Sequence, residues 1–200
     1  MTDRYDTSGN PEDEYYPGSS ALTNLEDIRD PEELLERETE LHLAAYEEMF
    51  GSFDEQLTPD LPLFYYLHHM IFSRLYAWAG RPRTFRIFKG GTPFCPPQNI
   101  DAMMGALFAE LEKERWLAGL APESFIERAA YYVCEINAVH PFREGNGRAI
   151  RFYLDVLSAR ARGDLLDWTL TSEEEYLRAC IAGFRQEYGL MITVLKRCAT

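Results

Sequence analysis

Basic charge is scarce in this chain and long apolar runs are missing altogether. Twenty Lys and Arg stand against 33 Asp and Glu, a formal charge of −13. Such a surface repels a phosphate backbone, so direct nucleic-acid binding is not expected and any polyanion held should be small. No apolar run approaches the ~18 residues that a membrane span requires. The N-terminus also lacks the basic-then-apolar order of a signal peptide, which leads to the expectation of a cytoplasmic protein without membrane association. The four cysteines, Cys95, Cys134, Cys180 and Cys198, form no CxxC pair and have no histidines at metal-ligand intervals. That excludes the usual signatures of a disulfide framework or a zinc site and fits reduced thiols.

Material for a core is plentiful: 46% of the 200 residues are hydrophobic, with twelve Phe and twelve Tyr. One domain is expected over 21–200, preceded by a mobile acidic arm over 1–20 whose Asp, Glu, Gly, Pro and Ser show no periodicity. Asp30-Pro31-Glu32-Glu33 reads as an N-cap, a first-position proline and an acidic first turn, opening a helix with Leu34, Leu41, Ala45 and Met49 on its buried face and Gly51 at its end. Leu63, Leu67, Ile71, Leu75 and Trp78 predict a second helix stopping at Gly80, with His68 and His69 read as surface or satisfied core histidines. The period then changes. Phe85 and Ile87, the Gly90-Gly91 pair, and Thr92 to Phe94 predict a short hairpin, too small to stand alone and so laid against the helices as a flap. Ile100 to about Gly119 is a third predicted helix, with Glu110 to Arg115 as a solvated charged face. Pro122 opens a fourth that leads to Val139. Thr171 to Glu174 reads as a capping box for a later helix, and Leu190 to Arg197 closes the chain.

Between the fourth helix and the next lies the run His140-Pro141-Phe142-Arg143-Glu144-Gly145-Asn146-Gly147-Arg148-Ala149-Ile150-Arg151. Pro141 stops the preceding helix at His140. The Gly145-Asn146-Gly147 turn suits a backbone that comes close to a ligand, and the periodic pattern resumes after it. A glycine-rich turn at a helix start is an anion cradle, most often for phosphate. Arg148 and Arg151, three apart, share a face and can reach one anion. Glu144 suits a magnesium ion bridging to phosphate oxygens, and His140 is a candidate general base. Phe142 reads as an anchor for the loop and Arg143 as solvent-facing. A plain GNG turn would leave His140, Glu144, Arg148 and Arg151 unexplained.

This run resembles the signature HxFx(D/E)GNGRxxR of the Fic domain proteins and carries every position of it. Tyr76-Ala77-Trp78-Ala79-Gly80 with Arg83, the hairpin, Glu135-Ile136-Asn137, and Asn24 with Ile28 and Asp30 extend the resemblance, toward the bacterial toxin-type members, over roughly residues 16 to 197. The resemblance implies an all-α fold, a Fic-type helical bundle with a small β-hairpin flap, and transfer of AMP from ATP to a Tyr, Ser or Thr hydroxyl of a target protein. By the same resemblance His140 takes the hydroxyl proton, and Glu144 holds Mg²⁺ between the α- and β-phosphates. Gly145, Asn146 and Gly147 bind phosphate oxygens, and Arg148 and Arg151 hold the β- and γ-phosphates. The flap, Phe85, Arg86, Ile87, Phe88, Lys89, Gly90, Gly91, Thr92, Pro93 and Phe94, clamps the target backbone by strand addition.

A kinase variant of the family has lysine at the second motif glycine, and Gly147 argues against it here. The family's inhibitory helix, (S/T)xxxE(G/N), has its nearest counterpart in Thr171 to Glu175, but Tyr176 follows where Gly or Asn belongs. The resemblance therefore implies a toxin restrained by a separate small antitoxin that carries that helix, with a type II topoisomerase subunit as a possible target. Two other readings stay open on sequence: a non-catalytic nucleotide-binding module, and transfer of a different phosphate-containing group on the same fold.

Overall fold

The computed structural model describes residues 15–54, 56–89 and 91–199. Most of the predicted arm (residues 1–14) and Gly90 of the predicted flap lie outside them. Within the described residues the chain is helical, with a single two-stranded ribbon.

Local signals set most helix starts. The Asp30 carboxylate accepts from the N–H groups of Glu32 and Glu33 at 2.9 and 3.0 Å, and Pro31 opens α1 (Pro31–Gly51) where no N–H is needed. Asp60 caps α2 (Leu61–Phe72) in the same way through Leu63. The second helix does not reach Gly80 as the periodicity predicts. The chain leaves it after Phe72 and turns until Gly80, at φ 76°, sends its N–H back to Nδ1 of His68 at 2.8 Å. Leu75 is buried in that turn and Trp78 packs against the core, so their spacing mimics a helix without forming one.

Strands β1 (Phe88–Lys89) and β2 (Thr92–Pro93) pair antiparallel, Phe88 opposite Pro93 and Lys89 opposite Thr92. Helix α3 (Ile100–Lys113) ends before the predicted Gly119, because Arg115, Trp116 and Leu117 take φ values of 55°, 58° and 62°. A left-handed residue costs roughly 1–2 kcal/mol; burial of the Trp116 and Leu117 side chains offsets this. Glu110 and Glu114 are not merely solvated: together they grip Arg128 of the next helix.

Helices α4 (Pro122–Val139) and α5 (Asn146–Arg162) flank the glycine-rich loop. α5 is the axis of the bundle, buried on nearly all sides from Ala149 to Ser158, with α2 and α4 against it. Helices α6 (Glu173–Gly183) and α7 (Gly189–Cys198) pair with each other and cover α4. The α6 capping box is shifted by one residue from the expected Thr171–Glu174: Ser172 and Glu175 exchange the bonds, Glu175 N–H to the Ser172 hydroxyl at 3.2 Å and Ser172 N–H to the Glu175 carboxylate at 3.0 Å. Ahead of α1, Tyr15 bridges to Leu22 and the Tyr16 N–H donates to the Ala21 carbonyl at 3.1 Å. No helix among the described residues is long and apolar enough to cross a membrane.

A polar node fixes α5 to both ends of the chain. Asp155, 1% exposed, accepts from the Tyr46 hydroxyl of α1, from Trp168 Nε1 at 2.9 Å and from the Leu166 N–H at 3.2 Å. Burial raises its pKa to about 6, against the lowering effect of those three donors. Asp155→Ala would strand all three donors in the interior, and urea denaturation should show a loss of about 3 kcal/mol or more. A loss below about 1 kcal/mol would mean that the node does not hold the fold.

Candidate active site

The site grows from the end of α4. A helix C-terminus leaves carbonyls without helical partners, and here they meet a buried cation. Arg83, 4% exposed, donates from Nε to the His140 carbonyl at 2.9 Å and from Nη2 to Val139 at 3.2 Å and Cys95 at 2.6 Å. Its Nη1 reaches the Phe85 carbonyl at 2.7 Å, and its main-chain N–H reaches Pro141 at 2.8 Å. One side chain thus ties both feet of the flap to the residue at the mouth of the site. Burial lowers its pKa to about 10, which leaves it charged at neutral pH.

His140 terminates α4 at φ 53°, ψ 63°, with its N–H still bonded to Ile136. The left-handed turn swings the imidazole so that Nδ1 donates to the Asn137 carbonyl at 3.1 Å, and Nε2 is then the nitrogen that keeps a lone pair. The ring of Phe94, from the flap, stacks on the imidazole with centroids 4.0 Å apart. Burial lowers the pKa of His140 to about 3; the Asn137 bond opposes this, and the positive charges of Arg83 and Lys89 add to it. The imidazole is neutral at physiological pH, the state a general base requires.

The loop after it is held from three sides. Phe142 is fully buried and stacks on His68 at 3.8 Å between centroids, the anchoring position expected for it. His68 accepts the Gly80 N–H at Nδ1, so its Nε2 carries the proton and donates to the Glu144 carbonyl at 3.0 Å. It is a satisfied core histidine that holds the loop, whereas His69 beside it is exposed. The Asn146 carboxamide accepts from the Phe142 N–H at 2.9 Å and donates to the Phe142 carbonyl at 2.8 Å. The side chain of Asn146 is therefore turned to the loop, and its main-chain N–H is what it offers outward. Arg143 is not solvent-facing as the sequence reading has it. It is 4% exposed, with its guanidinium between the rings of Tyr15 and Phe85, because the flap and the segment before α1 close over it.

Gly145 opens α5 at φ 76°, and a Cβ there would lie 2.3 Å from the Phe72 ring. Gly147 has nothing within 4 Å of the corresponding point. No side chain caps α5, and the N–H groups of Asn146, Gly147 and Arg148 find no acceptor among the described residues. Such a helix start is a receptor for an anion. The two arginines behave differently. Arg148 pairs through Nη1 with Glu38 of α1 at 2.8 Å and lies over the Phe72 ring. Glu38 is 7% exposed and also accepts from the Tyr76 hydroxyl at 2.6 Å. Arg151 is half-buried over the Tyr176 ring and makes no ion pair among the described residues.

Glu144 is half-buried; one oxygen accepts the Gly145 N–H at 3.0 Å, and burial raises its pKa. No group of three metal-ligating side chains occurs among the described residues. A single carboxylate beside an open anion cradle is a donor set that fits Mg²⁺, which takes one or two carboxylates together with phosphate oxygens.

The structure brings His140, Glu144, Gly145, Asn146, Gly147, Arg148 and Arg151 to one loop and one helix start. The described flap residues stand over His140 through Phe94. Nothing in the sequence gives Tyr76 or Arg83 a role or marks Glu38, because the run Glu36-Arg37-Glu38-Thr39-Glu40 looks like any solvated helix face. Thermal unfolding separates the two glycines: Gly145→Ala should cost about 2 kcal/mol or more, whereas Gly147→Ala should stay within about 0.5 kcal/mol of the parent. Equal losses would contradict the assignment of Gly145 to packing and Gly147 to open space.

A family model described as Fic/DOC matches residues 58–158. The chain is 35% identical over 188 residues to the protein named probable protein adenylyltransferase Fic of Escherichia coli (strain K12), covering 92% of this chain and 88% of that one. BepC from Bartonella tribocorum, solved with bound AMPPNP, superposes with a TM-score of 0.79 at 25% identity over 94% of this chain and 96% of that chain. The N-terminal FIC domain of Bep8 from Bartonella sp. 1-1C shares the fold with a TM-score of 0.85 at 22% identity, over 94% of this chain and 95% of that one.

Proposed function

Because this chain belongs to the Fic/DOC family, we propose that it is a protein adenylyltransferase that moves AMP from ATP to a Tyr, Ser or Thr hydroxyl of a target protein. The observation that carries this reading is an Arg151 without an ion pair among the described residues, on the same helix whose start is uncapped, one loop away from a neutral histidine. One part suits a polyphosphate and the other a hydroxyl.

The target hydroxyl donates its proton to Nε2 of His140 as its oxygen bonds to the α-phosphorus, and the bond from that phosphorus to the bridging oxygen breaks to release pyrophosphate. The Asn146, Gly147 and Arg148 amides and the α5 dipole bind phosphate oxygens, and Arg151 stabilises the departing charge. Glu144 would hold Mg²⁺, which when bound neutralises phosphate charge. Arg148, already paired with Glu38, can still donate from its other N–H groups. The flap takes the target as an added strand. Its outer edges are unequal, since Phe94 donates to the Ile87 carbonyl, so Phe88 and Pro93 face outward and only Phe88 has an N–H to offer.

We assign the brake to a separate chain. Glu175, in the nearest match to an inhibitory motif, is occupied by Ser172 and by Arg197 at 3.0 Å, and α6 meets Arg151 through the Tyr176 ring instead. We assign the protein to the toxin half of a cytoplasmic toxin–antitoxin pair, with a type II topoisomerase subunit as the first target to try.

ATP labelled at the α- or γ-phosphate, incubated with the protein and a bacterial lysate, should label protein only from the α position. Label from γ alone would mean a kinase. His140→Ala should lower labelling about 100-fold or more; retained activity would remove His140 from the base role. Since the lowered pKa keeps His140 unprotonated, kcat/KM for the target should hold level from pH 8 to pH 6. An acid limb centred near the ordinary histidine value would contradict this. Co-expression with the neighbouring open reading frame should relieve growth arrest and labelling, and unchanged arrest would count against an antitoxin.

A further inference from the structure

Helix α1 and the first half of α5 are joined by long side chains at one-turn intervals. Glu38 bonds Arg148 at 2.8 Å, and two turns further on Tyr46 bonds Asp155 while its ring stacks on Phe152 at 4.2 Å. Residue 42 stands between them, one turn from each, and its ring lies 5.0 Å from Tyr46 and 6.1 Å from Phe152. The rungs above and below are satisfied. The middle one is not: Nε2 of His42 is buried without a hydrogen-bond partner among the described residues, and Arg151, beside Phe152 on α5, makes no ion pair. A buried imidazole nitrogen and a half-buried guanidinium left open at the same level form a site for an anion.

We propose that His42 is a further ligand of the nucleotide, donating from Nε2 to the terminal phosphate that Arg151 binds. This rests on the nucleotide reading of the site and adds to it a residue from outside the glycine-rich loop. On α1, Glu38 and Tyr46 stand one turn to either side of His42; on α5, Arg148 and Arg151 act on it, and Asp155 lies beyond Tyr46. Glu38 is engaged by Arg148 and Tyr76, and Asp155 by Tyr46, Trp168 and Leu166. Neither carboxylate is available to the imidazole. Burial first, then the charges of Arg148 and Arg151, lower its pKa to about 4. A polyphosphate offsets both guanidiniums and sets its own negative charge beside Nε2, which works against the burial effect, so the pKa of the imidazole rises and binding draws protons from solvent.

Calorimetric titration with AMPPNP and Mg²⁺ at pH 6.5, in two buffers of different ionisation enthalpy, reads both affinity and proton uptake. His42→Gln should weaken AMPPNP about ten-fold and lower the proton uptake relative to the parent, while binding AMP as the parent does. In the parent protein, nitrogen NMR of the His42 ring should show protonation on adding AMPPNP but not AMP, a reading that needs no variant to fold. Unchanged affinity and uptake in His42→Gln, a ring unaltered by AMPPNP, or an equal response to AMP would each overturn the proposal. Absence of AMPPNP binding to the parent would overturn the nucleotide reading itself and this inference with it. Failure of AMP transfer with AMPPNP binding intact would touch only the adenylyltransferase reading.

Discussion

A single buried guanidinium sets the geometry on which the site depends. Arg83 collects the carbonyls of Val139, His140, Phe85 and Cys95, which come from the end of α4 and from the two feet of the flap. Two of those carbonyls face a helix C-terminus, where the partial negative charge favours a cation. The guanidinium is planar and offers five donors in a fixed fork, so its four partners cannot move independently. With the His140 carbonyl pinned, the left-handed turn at that residue is over-determined, and the cost of its φ of 53° is met by surrounding bonds rather than by relaxation. The flap inherits its place over the imidazole from the same contact.

Around that point the site divides into an uncharged half and a charged half. Two stacked pairs, half-buried Phe94 on buried His140 and buried Phe142 on buried His68, hold both imidazoles neutral. Across the loop, the uncapped start of α5, Arg148, Arg151 and Glu144 carry the charge. Burial acts on the two halves in opposite senses: it keeps histidines unprotonated and raises the pKa of Glu144. A proton acceptor and an anion receptor can then stand within one loop of each other without cancelling. Gly145 makes that closeness possible, since its backbone lies against Phe72 where no side chain fits.

Much of this was legible in the sequence because it is encoded locally. The Asp30-Pro31 start of α1, the stop at Pro141 and the motif from His140 to Arg151 are runs whose chemistry is read in order, and the fold class is what the family resemblance of that motif implies. What was not legible depends on residues far apart in the chain. Nothing in the sequence near Arg143 says that Tyr15 and Phe85 close over it, and nothing near Glu38 says that Arg148 arrives. The end of the second helix is hidden because turn residues Leu75 and Trp78 continue the apolar spacing. The end of the third is hidden because the left-handed turn at Arg115 to Leu117 contains no glycine to mark it. The capping box slipped by one because Thr171 and Ser172 both satisfy the pattern and only the observed bonds choose between them. Legibility ended where a side chain's role is set by its tertiary partner.

Burial keeps the His140 imidazole neutral, the Asn137 carbonyl holds its proton on Nδ1, and Arg83 pins the residue's own carbonyl. Two-bond proton–nitrogen correlation on histidine-labelled protein at pH 6 observes the ring directly. His140 should show an Nδ1–H tautomer with no imidazolium signature. An Nε2–H tautomer, or a protonated ring at that pH, would contradict it.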